Sequence, residues 1–176
     1  LDGWQLVSEV CDIAIGGTPS RQNLDYWASN DADGYPWASI SDLTQKTVLS
    51  TKEYITKAGV ENSNVKLIQA GTTLMSFKLT LGRVGVAGGD MYTNEAIAAF
   101  VPKSKDISNE HVRHSLSVVD WTVDTDQAVK GKTLNKSKLL ASSIPILRAD
   151  KAPWVLASVQ SAEDLVIKSK HQLNLL

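Results

Sequence analysis

Apolar positions change their spacing several times along this chain. Over residues 4–15, Leu6, Val7, Val10, Ile13 and Ile15 fit a short helix or turn leading into a strand. Gly16-Gly17-Thr18-Pro19-Ser20 interrupts that run and reads as a loop. Residues 23–27 predict a helical turn, 30–36 a second loop, 37–40 a short strand and 41–43 the turn after it. Lys66-Leu67-Ile68 precedes a turn at Ala70-Gly71, and residues 72–77 alternate and are rich in strand formers. Residues 82–87 alternate around Val84 and Val86, Gly88-Gly89-Asp90 reads as a turn, and the apolar stretch 96–101 ends at Pro102. Residues 110–119 predict a helix, and 142–147 a last short strand around Pro145. Short strands parted by glycine turns predict an α+β fold. Its centre is a single twisted, mostly antiparallel sheet or partial barrel with small helices.

The tail has another character. From Pro153 to the end there is no glycine and no further proline. Proline suits a first helical turn. Leu156, Val159, Glu163, Val166, Lys170 and Leu173 fall on one stripe. This predicts one C-terminal helix of about 22 residues. The chain thus divides into a domain over residues 1–150 and a helical segment over 151–176. Leu156, Val159, Val166 and Leu173 are the expected dimerisation or docking surface.

Composition narrows the class. A chain of 176 residues with 43% apolar and 21% charged residues is an ordinary globular domain, not a disordered one. No apolar run approaches the ~18 residues of a membrane span. The first twenty residues lack a basic start followed by an apolar block, so no signal peptide is expected, and the expected compartment is the cytoplasm. One cysteine, Cys11, excludes a disulfide framework and a cysteine-based metal cluster. The net charge of -1 gives no global attraction to nucleic acid, so DNA binding must rest on a local patch.

Candidate chemistry is sparse. His111, His114 and His171 show no zinc spacing and read as surface histidines; Cys11 reads as a small buried hydrophobe. The loop 16–20 lacks the Gly-Lys-Ser/Thr ending of a phosphate cradle, and Gly82-Arg83-Val84-Gly85 is no better. Asp25, Asp31, Asp33 and Asp42 form no metal-loop pattern. No catalytic residue, metal or cofactor is expected. Basic residues are unevenly placed. Lys130, Lys132, Lys136, Lys138, Arg148 and Lys151 face one acid, Asp150, and Lys78 and Arg83 lie in an acid-free stretch. Residues 22–42 carry only acids. A charge run is ordinarily a solvated face, but this one can also contact phosphates. The five tryptophans, Trp4, Trp27, Trp37, Trp121 and Trp154, read first as core anchors.

Several segments, in order, carry a resemblance. They are Trp4-Gln5-Leu6-Val7 with residues 10–15; Gly17-Thr18-Pro19-Ser20-Arg21 with Tyr26-Trp27, Pro36-Trp37 and residues 40–43; and residues 56–60 with Leu67-Ile68 and Gly71-Thr72. Then come Gly82-Arg83-Val84-Gly85 with Thr93-Asn94-Glu95-Ala96-Ile97, and Gly131-Lys132-Thr133-Leu134 with Leu139 and Ile144-Pro145. Together, over roughly residues 4–147, they resemble the target recognition domain of the specificity subunit of type I restriction-modification systems, at half length. The resemblance implies a non-catalytic subunit that reads a half-site in double-stranded DNA and docks methyltransferase and restriction subunits, without a membrane. Family members carry two such domains joined by antiparallel helices. Here one domain is present, and residues 146–153 read Ile-Leu-Arg-Ala-Asp-Lys-Ala-Pro where the family usually continues with prolines and a Glu-Gln pair. A one-domain chain can rebuild the pair as a homodimer through its tail, which predicts a palindromic DNA preference.

Sequence readout needs donors and acceptors at base edges, and phosphate contacts that fix register. Loop and strand-end polar residues are the candidates for DNA contact: Thr18, Ser20, Arg21, Ser41, Lys46, Lys78, Thr80, Arg83, Asn94, Lys130, Lys132, Asn135 and Lys136. Gly82 and Gly85 are expected to permit a bend or close packing instead. The rival reading is a protein-interaction module of the same fold that does not read DNA. A weaker rival is an enzyme acting on DNA through His111 and His114.

Overall fold

The computed structural model describes residues 3–44, 46–122, 126–128 and 131–146. The strands in chain order are β1 (Gly3–Leu6), β2 (Cys11–Ile15), β3 (Trp27–Ala28), β4 (Tyr35–Ala38), β5 (Thr47–Val48), β6 (Glu53–Ile55) and β7 (Thr73–Ser76). They continue with β8 (Lys78–Leu79), β9 (Val84–Ala87), β10 (Tyr92–Thr93), β11 (Ile97–Pro102), β12 (Asp126–Ala128), β13 (Gly131–Thr133) and β14 (Ser143–Ile146). The helices are α1 (Val7–Val10), α2 (Lys57–Glu61), α3 (Asn109–Val118) and α4 (Lys136–Ala141), with 3₁₀ turns at Leu24–Tyr26 and Ile40–Asp42. The predicted C-terminal helix, with Leu156, Val159, Val166 and Leu173, lies outside the described residues, as does His171.

The five-stranded sheet β2-β11-β7-β9-β5 is the centre. Residues of β11 sort by the period of two. Ala98 and Phe100 pack in one cluster with Ile13, Met75, Val112 and Leu116, while Ile97 and Ala99 pack in another with Leu74, Ala38, Val48 and Met91. The sheet is therefore covered on both faces, which is why the run 96–101 is almost wholly apolar. One face carries α3 and the β1–β14 ribbon, where Ser115 Oγ donates to Pro145 O at 2.6 Å. The other carries material from the sheet β10-β4-β6-β3, whose Trp37, Ile55 and Tyr92 make a third small cluster.

The expected α+β class and mostly antiparallel pairing are found; the parallel pairs are β10 with β4 and β5 with β9. Among the described residues the strands divide among four open sheets, of two, four, five and three strands, rather than lying in one. A central sheet that is apolar on both faces needs separate layers to cover it. Residues 66–68, ahead of the turn at Ala70-Gly71, contribute a bridge between Ile68 and Met91. The helix expected at residues 110–119 is α3, capped by Ser108, whose side chain accepts from the His111 amide.

Candidate nucleic-acid interface

The sheet's register brings distant loops to one end. Ile15 pairs with Ala98, Ile97 with Ser76, and Met75 with Val84. Thus β2 and β7 finish at the edge where β11 and β9 begin, and β5, parallel to β9, begins there too. Loops 16–23, 77–83 and 94–96 and the entry to β5 all belong to that end. They hold Thr18, Ser20, Arg21, Lys46, Lys78, Thr80, Arg83 and Asn94; Ser41 lies in the 3₁₀ turn after β4, beside a cleft lined by β5 and the residues after it. Strand β13 joins β8 in the same place, with Lys132 opposite Leu79, and the Leu134 amide donates to Phe77 O at 2.9 Å. Asn135 and Lys136 follow directly. Lys130 and the side chain of Lys132 lie outside the described residues.

The loop after β2 is held against its surroundings at several points. A Cβ on Gly16 would lie 2.2 Å from Asn94 O, so glycine is required by close approach. The Gly17 amide donates to Thr93 O at 2.8 Å. Two indoles clamp the loop: Trp37 Nε1 donates to Gly17 O at 2.9 Å and Trp27 Nε1 to Ser20 O at 3.1 Å. The rings meet edge to face, 5.1 Å apart. The Arg21 guanidinium stacks 3.7 Å over Trp27 and forks onto both carboxylate oxygens of Glu53. That bond raises the Arg21 pKa and holds the Glu53 carboxyl below its ordinary value. Thr18 Oγ1 donates to Glu95. Both Thr18 and Arg21 are thereby engaged within the chain.

The loop after β7 is organised by one buried hydroxyl. Ser76 Oγ donates to Thr80 O and accepts from the Arg83 amide at 3.1 Å. The Gly82 amide donates to Ser76 O at 2.9 Å, and a Cβ there would meet the Trp121 ring at 2.9 Å. Gly82 has φ 73, so the expected bend and close packing are both present. This loop presents Lys78, Thr80 and Arg83. Arg83 and Lys46 line one open cleft with Leu43, Thr44 and Val84.

Several candidates have internal duties. Lys46 pairs with Glu110 at 2.9 Å. Asn94 Oδ1 accepts from the Ala96 amide at 3.1 Å, and Asn135 caps α4 by accepting from the Lys138 amide at 2.8 Å. Ser41 Oγ lies 2.8 Å from Ser39 Oγ. Ser20, Thr80, Arg83 and Lys136 are exposed, and Lys78 is half-buried. Lys78, Arg83 and Lys136 make no ion pair among the described residues.

His111 and His114 are half-buried rather than at the open surface, because α3 lies on the sheet. Burial is the main cause that lowers both their pKa values. His114 Nε2 lies 3.3 Å from Glu110, in a cluster with Arg113. Cys11 is buried and its thiol is pushed up to about 12, so it is protonated at neutral pH. No group of three or more His, Cys, Asp or Glu that could hold a metal occurs among the described residues. Sequence reasoning missed Glu53, Glu95 and Ser76. The acids lie 32 and 77 positions from the groups they engage, and no local signal connects them.

The model of the type I restriction modification DNA specificity domain family matches residues 2–151. The chain belongs to this family. The MjaIX specificity subunit of Methanocaldococcus jannaschii is 21% identical over 175 residues, which is 97% of this chain and 40% of that protein. The EcoR124I/EcoR124II specificity subunit of Escherichia coli is 33% identical over 69 residues, 39% of this chain and 16% of that protein. Among solved structures, the HsdS subunit from Thermoanaerobacter tengcongensis matches with a TM-score of 0.63 and 17% identity, over 96% of this chain and 39% of that one. A type I S subunit from M. genitalium matches with a TM-score of 0.62 and 10% identity, over 98% of this chain and 40% of that one. The chain spans about two-fifths of the length of the specificity subunits it matches end to end. Of the segments that carry the resemblance, residues 17–21, 82–85, 93–97 and 131–134 lie towards the polar end of the central sheet, whereas residues 71–72 precede β7 at its other end.

Proposed function

We propose that this domain reads a half-site in double-stranded DNA within a type I restriction-modification specificity subunit. It contributes no catalysis and holds no cofactor; methylation and cleavage belong to the methyltransferase and restriction subunits that it docks. The observation that carries the reading is the gathering of Ser20, Lys78, Thr80, Arg83 and Lys136 at one end of a rigid sheet. Cations there fix register on phosphates, and hydroxyls and Arg83 reach base edges. The clamped loop with Thr18 and Arg21, together with Lys46, Asn94 and Asn135, shapes that surface, and Lys130 and Lys132 add cations for phosphate contact. Loops on a fixed scaffold can vary in sequence without disturbing the core. The tail residues Leu156, Val159, Val166 and Leu173 supply the subunit-docking or homodimer surface.

Fluorescence anisotropy of the full chain on a random-sequence duplex pool, over a salt series, tests this. Lys78→Glu and Arg83→Glu are each expected to weaken binding. Each lost phosphate contact reduces the salt slope by about 1. Lys105→Glu, in the loop after β11 at the other end of the sheet, is expected to leave affinity unchanged. If all three variants retain the parent affinity and slope, the polar end is not the DNA surface.

A further inference from the structure

We propose that Leu79 is a specificity-determining residue that packs against the 5-methyl group of a thymine in the major groove. This rests on the DNA-reading role above. Leu79 has φ 65 and is the sole non-glycine residue with positive φ among the described residues. The Thr80 amide donates to Lys78 O at 2.8 Å, closing a three-residue γ-turn with Leu79 at its apex. The positive-φ form of that turn is rare and strained. A Cβ in the left-handed region crowds the following carbonyl, so glycine would relieve the strain. Leucine gains little burial here in return, because 60% of it is exposed.

The surroundings hold the strain in place. Ser76 Oγ ties Thr80 O to the Arg83 amide, and β13 pairs with β8 so that Lys132 lies opposite Leu79. An exposed apolar tip is thus fixed between Lys78 and Thr80, close in sequence to Arg83, at the end of the sheet that carries the candidate contacts. Phosphates and polar base edges gain nothing from leucine and would lose water to it. The thymine methyl is the apolar group that an unmodified base pair presents in the major groove. Flanking cations engaging the backbone would bring the tip to that depth.

The test uses the full chain and duplexes it selects from a random-sequence library. Each thymine of the selected duplex is replaced in turn by deoxyuridine, which lacks the methyl. The parent chain is expected to lose about fourfold in affinity at one position, the worth of one buried methyl-sized group. Leu79→Ala and Leu79→Gly are expected to bind the thymine duplex as weakly as the parent binds the uracil duplex, and to be indifferent to the replacement. Leu79→Gly should also melt at the same or a higher temperature, so its loss of readout is not a loss of fold. A parent chain with no uracil-sensitive position overturns the inference. So do variants that keep the parent's sensitivity, or that weaken every sequence equally. Sequence selection that survives with Leu79 silent sinks this inference and leaves the DNA-reading role intact; no selective or salt-dependent binding sinks both.

Discussion

Glu110 sits between cations from two elements. It accepts from Arg113 Nη2 at 2.7 Å and pairs with Lys46 at 2.9 Å. The Arg113 hydrogen bond is the main cause that brings its carboxyl down to about 2 from 4.5. A folded-state pKa below the unfolded one stabilises the fold above the unfolded value, and that contribution disappears as pH falls from 4.5 towards 2. The carboxylate is half-exposed, and solvent screening holds its worth to about 0.5 kcal/mol. Glu110→Gln is expected to flatten the acid limb of stability in that window, with about 0.5 kcal/mol or less lost at pH 7. Urea melts at stepped pH measure it, and an acid limb identical to the parent's would contradict the assignment. At this scale the sequence showed residue types but not their partners. Arg21 looked free to contact DNA until Glu53 and Trp27 came against it. Asn135 is different: an asparagine opening a helix is an ordinary cap, so its structural duty was legible had α4 been recognised.

Among the elements, the loop between β7 and β9 depends on Ser76, which is fully buried. Ser76→Ala removes a donor to Thr80 O and an acceptor for the Arg83 amide. The expected cost is about 1–2 kcal/mol. Hydrogen exchange at the Arg83 amide should accelerate more than at β11 amides, since local opening releases the loop before the sheet. Equal acceleration throughout would mean that the hydroxyl supports the core rather than the loop. Elements with several periodic positions, β7, β9, β11 and α3, were readable from the pattern. Strands β3, β5, β8 and β10 have two residues each, too few to display a period. They form because a neighbouring strand offers backbone partners, as Val86 N–H donates to Lys46 O at 2.9 Å beside β5.

For the whole molecule, the apolar stripe of the tail has a direct test. If Leu156, Val159, Val166 and Leu173 join two copies, light scattering of the intact chain at micromolar concentration gives a dimer mass. Leu156→Asp with Val166→Asp then returns a monomer, because a two-fold interface loses both copies of each contact at once. A monomeric mass that the double substitution leaves unchanged removes the homodimer and leaves subunit docking.

The sequence by itself determined the α+β class, the central strands, α3, the buried Cys11 and the kinds of polar residue available for DNA contact. These follow from short-range patterns: the alternation of apolar positions, glycine at turns, and the order of segments that carry the family resemblance. Only the tertiary structure decided that residues 16–23, 77–83, 94–96 and 134–136 meet at one end of a sheet. The same holds for Thr18 and Arg21 being engaged by Glu95 and Glu53, and for a leucine standing at a strained apex. Those outcomes depend on which distant strands pair and in what register. Register is fixed by burying two faces at once, a condition that no local stretch of the chain contains.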